Sequence, residues 1–266
     1  MSVLLVIPAR YASTRFPGKP LVDLRGAGGA ARSLIRRSWD AAMSVEGVDR
    51  VVVATDDARI ADAAHGFGAE VAMTPDSCRN GTERCAVVAA ELGGAHEIVV
   101  NLQGDAPLTP PWFVSALIAA MQADATRQVA TPVLRCDAGA LAGFLEDRRH
   151  GRVGATTAVF DRAGRALYFS KEVLPYTGRP LGAAETIPVF HHVGVYAYRP
   201  AALAAYPSWD PGPLETWEGL EQLRFMENGI PVHCVEVRAR GQAFWELNNP
   251  SDVERIEAIL RELGRD

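Results

Sequence analysis

Residues 3–20 read Val-Leu-Leu-Val-Ile-Pro-Ala-Arg-Tyr-Ala-Ser-Thr-Arg-Phe-Pro-Gly-Lys-Pro. An apolar run the length of one buried strand ends in a small-residue loop that carries Arg10, Arg15 and Lys19. Parallel strands bury both faces and read as continuous apolar runs, and ligands gather beyond their carboxyl ends. Three cations in such a loop suit a triphosphate, through charge-assisted hydrogen bonds.

The chain has 266 residues, which fits one large α/β domain or a domain with a small appended lobe. Its net charge of −5 offers no general basic surface to nucleic acid, so a phosphate site must be a local cluster. No apolar run approaches the roughly 20 residues that cross a bilayer. The first residues read as a core strand rather than a signal peptide. Cys78, Cys85, Cys136 and Cys234 are scattered without a C-x-x-C pair. They read as free thiols in a reducing cytoplasm, not as a zinc site.

Apolar runs at Leu4–Pro8, Val51–Thr55, Glu70–Met73, Ile98–Asn101 and Val129–Val133 predict strands. Periodic stretches at Arg32–Met43, Ala58–Gly66, Gly81–Leu92 and Pro111–Gln122 predict helices between them. Asp56 or Asp57 caps the second helix, and Asn80 with Glu83 makes a capping box for the third. The alternation predicts a parallel, doubly wound sheet. The second half changes character. Strands at Ala155–Phe160, Ala166–Phe169 and His192–Tyr198, with few helices between them, predict an antiparallel lobe. One helix is expected from Leu214 to Asn228 with Gly229 as its C-cap. A strand follows at Val232–Val237, then a last helix opened by Ser251 and Glu254.

Two further motifs carry chemistry. Asp105, in Asn101-Leu102-Gln103-Gly104-Asp105, follows a central strand and suits a divalent metal, which takes one or two carboxylates plus phosphate oxygens. A simple turn aspartate explains it equally well. The helix start at Asn80-Gly81-Thr82 offers free N–H groups to a base edge, with Thr82 and Arg84 as side-chain donors. Capping by Asn80 and Glu83 alone also accounts for it.

These stretches, with A-L-Y-F-S-K, H-H-V-G-V-Y, L-E-Q-L-R and N-P-S-D-V-E-R-I, resemble the 3-deoxy-manno-octulosonate cytidylyltransferase (CMP-Kdo synthetase) family over nearly the whole chain. The resemblance implies a Rossmann-like nucleotide-diphospho-sugar transferase (GT-A-like) fold, with a mostly parallel central sheet and a smaller antiparallel lobe. It implies a single domain, 1–266, with a CTP-binding half over 1–135 and a sugar-binding, dimerising half over 136–266. The implied reaction joins CMP from CTP to the anomeric hydroxyl of a 2-keto sugar acid, with Mg²⁺ and release of pyrophosphate. Arg10, Ser13, Arg15 and Lys19 would hold the triphosphate, and Asn80, Gly81, Thr82 and Arg84 the cytosine. Gln103 would contact the sugar acid and Asp105 the metal, so that Arg10, Lys19 and Asp105 carry catalysis. A homodimer with no nucleic-acid or membrane partner is expected.

Glu215, Glu218 and Gln222 fall at i, i+3, i+7 on one helix face. A solvated face explains that spacing, while the resemblance favours a sugar role for Gln222 and at least one glutamate. The resemblance also turns His192 toward the sugar, and Tyr196 shares its strand face by even spacing. Several positions depart from the family. Asn248 stands where the family carries a second metal-ligating Asp, and an amide oxygen brings no charge. Glu246 compensates if the strand end is displaced, and Asp252 belongs to the first turn of the last helix. Ala106 replaces a Glu, Gly26 to Ser33 replace a Gly-Lys-Pro, and Gly154-Ala155-Thr156-Thr157 lacks a family lysine. Three readings stay open: a Kdo-type enzyme, a cytidylyltransferase with another acceptor, and a CTP-binding relative with weak or lost catalysis.

Overall fold

The first strand, β1 (Val3–Ala9), is buried along all seven residues because it is paired on both edges and covered on both faces. Its side chains alternate between two cores. Val3, Leu5 and Ile7 pack with Ile35, Phe113 and Leu117, whereas Leu4 and Val6 pack with Cys85, Val88 and Phe225. Each such side chain contributes about 1.5–3 kcal/mol when fully buried. The computed structural model describes residues 1–12, 16–153, 155–178 and 185–266. Ser13 and Arg15, expected at a triphosphate, and Gly154 of the altered basic segment lie outside the described residues.

After β1 come β2 (Asp23–Arg25), β3 (Ala31–Ser33), α1 (Leu34–Met43), β4 (Arg50–Thr55), α2 (Ala58–Gly66), β5 (Glu70–Met73), α3 (Gly81–Glu91), β6 (Ile98–Leu102), α4 (Pro111–Ala123) and β7 (Val129–Arg135). The second half adds α5 (Ala138–Arg149), β8 (Thr157–Phe160), β9 (Ala166–Ser170), β10 (Phe190–His192), β11 (Val195–Tyr198), α6 (Pro200–Ala205), α7 (Pro213–Glu218), α8 (Leu223–Glu227), β12 (Val232–Val237) and α9 (Asp252–Glu262). The order β5-β4-β1-β6 is parallel throughout, as the alternation predicts. β11 then enters antiparallel between β6 and β7, and β12 returns parallel to β7. The antiparallel strands β10, β8 and β9 extend this same sheet. No helix among the described residues is long and apolar enough to cross a membrane.

Five local features differ from expectation, the first being the strand expected at His192–Tyr198, which is split into β10 and β11, paired with β8 and β6 respectively. The loop around Gly28 is a hairpin of β2 and β3, so Arg32 lies in a strand and α1 begins at Leu34. α5 is additional, opened by the Asp137 side chain accepting from Ala140 N–H at 2.7 Å. The helix expected from Leu214 to Asn228 is broken into α7 and α8, because Gly219 takes φ +60 and terminates α7. Ser251 makes no side-chain cap to α9. Asp57 and Asn80 do cap as expected, accepting from Arg59 and Glu83 N–H at 3.0 and 2.9 Å.

Candidate functional site

A cavity of about 500 Å³ opens at the carboxyl ends of β1 and β6. The ends of those strands meet closely: a Cβ on Gly104 would stand 2.7 Å from the Pro8 carbonyl oxygen. Only glycine lets the Gln103-Gly104-Asp105 turn lie so near β1. Ser38 of α1 donates to the Gly104 carbonyl at 2.9 Å and holds it there. Asp105 thereby faces Lys19, whose Nζ donates to Asp105 Oδ2 at 2.6 Å. Arg10, Lys19 and Asp105 all line this cationic end.

The next wall is the start of α3. Asn80 and Gly81 line the cavity, and the Asn80 amide also donates to the Tyr206 hydroxyl at 3.0 Å. Thr82 does not line it: its hydroxyl is buried against the Tyr198 hydroxyl at 2.8 Å. Arg84 reaches the wall, but its guanidinium is engaged by Asp56 at 2.6 Å and by the Thr74 hydroxyl. The broken helix supplies the far wall. Tyr196 donates from its hydroxyl to Gln222 Oε1 at 3.0 Å, and Gln103 Nε2 donates to Glu221 Oε1 at 3.1 Å. Gln222 is 1% exposed, and its Nε2 has no partner among the described residues. A buried unsatisfied donor is unfavourable. Its place on the cavity wall makes it a ready contact for a ligand oxygen.

Sequence reasoning missed two residues here. Glu221 stands at the cavity wall, where burial raises its pKa even though the Thr82 N–H donates to its carboxylate at 3.2 Å. The second is Lys171. A Cβ on the cavity residue Gly219 would meet Lys171 Nζ at 2.9 Å, so the ammonium lies over that turn. The L-E-Q-L-R run contains Glu221, but an unbroken helix puts it off the face of Glu215, Glu218 and Gln222.

The break at Gly219 separates those three. Only Gln222 lines the cavity. Both Glu215 oxygens accept from Arg224 at 2.6 Å, and Glu218 accepts from the Ser170 hydroxyl at 2.7 Å and Lys171 N–H at 2.9 Å. Their carboxylates tie the two short helices to the fold. His192 is likewise off the cavity wall, with Nε2 2.9 Å from the Thr131 hydroxyl and its ring edge-on to Phe169. Burial lowers its pKa to about 3, so it is neutral in the native state. The unfolded chain protonates it near 6.5, so its contribution is full above that pH and declines as pH falls toward 3. Between pH 6.5 and 5 it should lose about 2 kcal/mol. The buried His191, with its pKa lowered to about 4, adds to this, so urea unfolding at the two pH values should show a loss larger than that of His192 alone, reduced by about 2 kcal/mol in His192→Gln. An unchanged slope would mean that His192 is not buried in the neutral form.

Asn248 does not line the cavity, whereas Glu246 does. The described residues contain no group of three or more His, Cys, Asp or Glu side chains able to hold a metal. The donor set still suits Mg²⁺, which prefers one or two carboxylates and takes its remaining ligands from phosphate and water. Asp105 already accepts a cation there, the Lys19 ammonium.

These features define an α/β protein with a cavity at the carboxyl ends of parallel strands, lined at one end by Arg10, Lys19 and Asp105. A family profile described as cytidylyltransferase matches residues 4–237. A 3-deoxy-manno-octulosonate cytidylyltransferase of Maricaulis maris is 45% identical over 99% of both chains. A mitochondrial one of Arabidopsis thaliana is 37% identical, over 98% of this chain and 83% of its own. A solved CMP:2-keto-3-deoxy-manno-octonic acid synthetase complexed with CTP superposes with a TM-score of 0.83 at 32% identity, covering 99% of this chain and all of the other. The chain belongs to the cytidylyltransferase family.

Proposed function

We propose that the protein transfers CMP from CTP to the anomeric hydroxyl of a 2-keto-3-deoxy sugar acid, Kdo or a close relative, and releases pyrophosphate. One observation carries this reading. A single cavity joins the cationic end at Arg10 and Lys19 to a polar wall of Gln103, Tyr196, Glu221 and Gln222, which suits sugar hydroxyls. The names of the full-length relatives supply the acceptor class. In the reaction the acceptor oxygen bonds to the α-phosphorus of CTP, the bond to the pyrophosphate oxygen breaks, and the hydroxyl proton passes to solvent. No covalent enzyme intermediate is required, so catalysis rests on positioning and charge neutralisation.

Arg10 and Lys19 bind the triphosphate, and Asn80 and Gly81 sit beside the base. Lys19 exchanges its contact with Asp105 for a phosphate oxygen. Asp105 is then free to hold Mg²⁺, which supplies positive charge to the phosphates when bound. Pyrophosphate release from CTP, assayed with a panel of 2-keto-3-deoxy sugar acids at millimolar Mg²⁺, tests the reading. No release with any acid would overturn it.

Lys171, whose ammonium lies over the cavity residue Gly219, is suited to the acceptor's carboxylate. Lys171→Ala should raise KM for the sugar acid about tenfold and leave CTP binding unchanged. Equal loss of CTP affinity would assign Lys171 to the nucleotide instead.

A further inference from the structure

Glu246 lines the cavity beside Gly194. A Cβ on Gly194 would stand 3.3 Å from Glu246 Oε1 and 3.9 Å from Gln103 Cγ. The main chain fixes this placement. Leu247 N–H donates to the Asp105 carbonyl at 2.9 Å, which fastens the segment to the turn that carries Asp105. The Leu247 side chain is fully buried with Leu24, Leu34, Leu108 and Ile256, which anchors the segment on its other side.

Asn248 is drawn elsewhere. Its N–H and that of Asn249 donate to Asp252 Oδ2 at 2.9 and 2.7 Å, and Trp245 Nε1 donates to Asp252 Oδ1 at 3.1 Å. One carboxylate thus clamps the turn from both flanks, leaving Glu246 on the cavity wall and Asn248 off it.

We propose that Glu246, not Asn248, is the second residue that holds the divalent metal in this site, beside Asp105 and the nucleotide phosphates. The proposal rests on the cytidylyltransferase reading. Asp105 already holds one cation, the Lys19 ammonium at 2.6 Å, and the cavity it shares with Glu246 carries an independent sign of a ligand: the buried Gln222 Nε2, a donor without a partner among the described residues, suits an oxygen of a bound substrate. Mg²⁺ favours charged oxygen donors, and Glu246 supplies a carboxylate where Asn248 has only an amide.

The test is Mn²⁺ binding to the full chain in the presence of CTP, read from the paramagnetic resonance of free Mn²⁺. Glu246→Gln should weaken Mn²⁺ by about tenfold or more, with Asn248→Ala within about twofold of wild type. A Glu246→Gln value within twofold of wild type overturns the proposal, as does an equal loss in Asn248→Ala. Glu246→Asp keeps the charge and should recover most of the affinity. A loss in it equal to that of Glu246→Gln would mark a structural role and also overturn the proposal. Calorimetry with CTP alone separates the two levels: a wild-type chain that binds no CTP sinks the cytidylyltransferase reading itself.

Discussion

Lys19→Ala is expected to lower kcat/KM by about 10²–10³, the loss seen when one donor to a developing charge is removed. The same substitution should change stability by less than about 1 kcal/mol, because the Lys19–Asp105 pair is partly exposed and such pairs contribute little. Its side chains are 14% and 27% accessible. The pair therefore matters for what replaces it. In the structure Lys19 neutralises Asp105, and Asp105 holds the ammonium at the cavity wall. Under the proposed function, CTP would draw the ammonium to phosphate and leave the carboxylate to hold a metal. Asp105→Asn separates these roles. It should leave metal-free CTP binding intact while raising the Mg²⁺ needed for turnover. Stopped assays of pyrophosphate release against Mg²⁺ concentration read both variants. Turnover of Lys19→Ala within threefold of wild type would show that its ammonium does not act on the transferring group.

The parallel half of the fold was legible because a strand buried on both faces leaves an unbroken apolar run, as in Val3–Ala9. The same run placed Arg10 and Lys19 just past the strand end, where both line the cavity. What was not legible depended on distant partners or on one backbone angle. Helical periodicity continues on both sides of Gly219, so nothing local announces its left-handed turn. Once that turn forms, the i, i+3, i+7 relation of Glu215, Glu218 and Gln222 no longer describes one face. Thr82 is similar. Its type and place suited base recognition, but Tyr198, 116 residues away, takes its hydroxyl. Asn248 aligned with a metal ligand by order along the chain, yet the Asp252 clamp determines which neighbour reaches the cavity.

Arg224→Ala should destabilise the protein by about 3–5 kcal/mol, the range for breaking a buried ion pair from one side. Arg224 is 1% exposed, with its guanidinium over the Tyr206 ring at 4.2 Å. Nε and one terminal nitrogen donate to the two Glu215 oxygens at 2.6 Å, and the other donates to Glu83 at 2.9 Å. Removing it leaves two buried carboxylates without their shared cation. The effect should reach the site, because Glu83 stands in the first turn of α3 beside Asn80 and accepts from Arg79 N–H at 2.7 Å. Glu215 anchors α7, whose end leads into Gly219 and Glu221. A weaker CTP affinity should therefore accompany the loss of stability. Urea unfolding at pH 7 measures the first effect, and a change under 1 kcal/mol would show that the network is not a buried one. Arg224 helps hold the Glu83 pKa below the usual carboxylate range, although burial opposes this. Without Arg224 that carboxyl gains protons at higher pH, so the variant's deficit should shrink between pH 7 and pH 5. Combining Arg224→Met with Glu215→Gln and Glu83→Gln removes the charges together. It should recover much of the stability, because an apolar or neutral replacement of a whole buried ion cluster avoids the uncompensated charge.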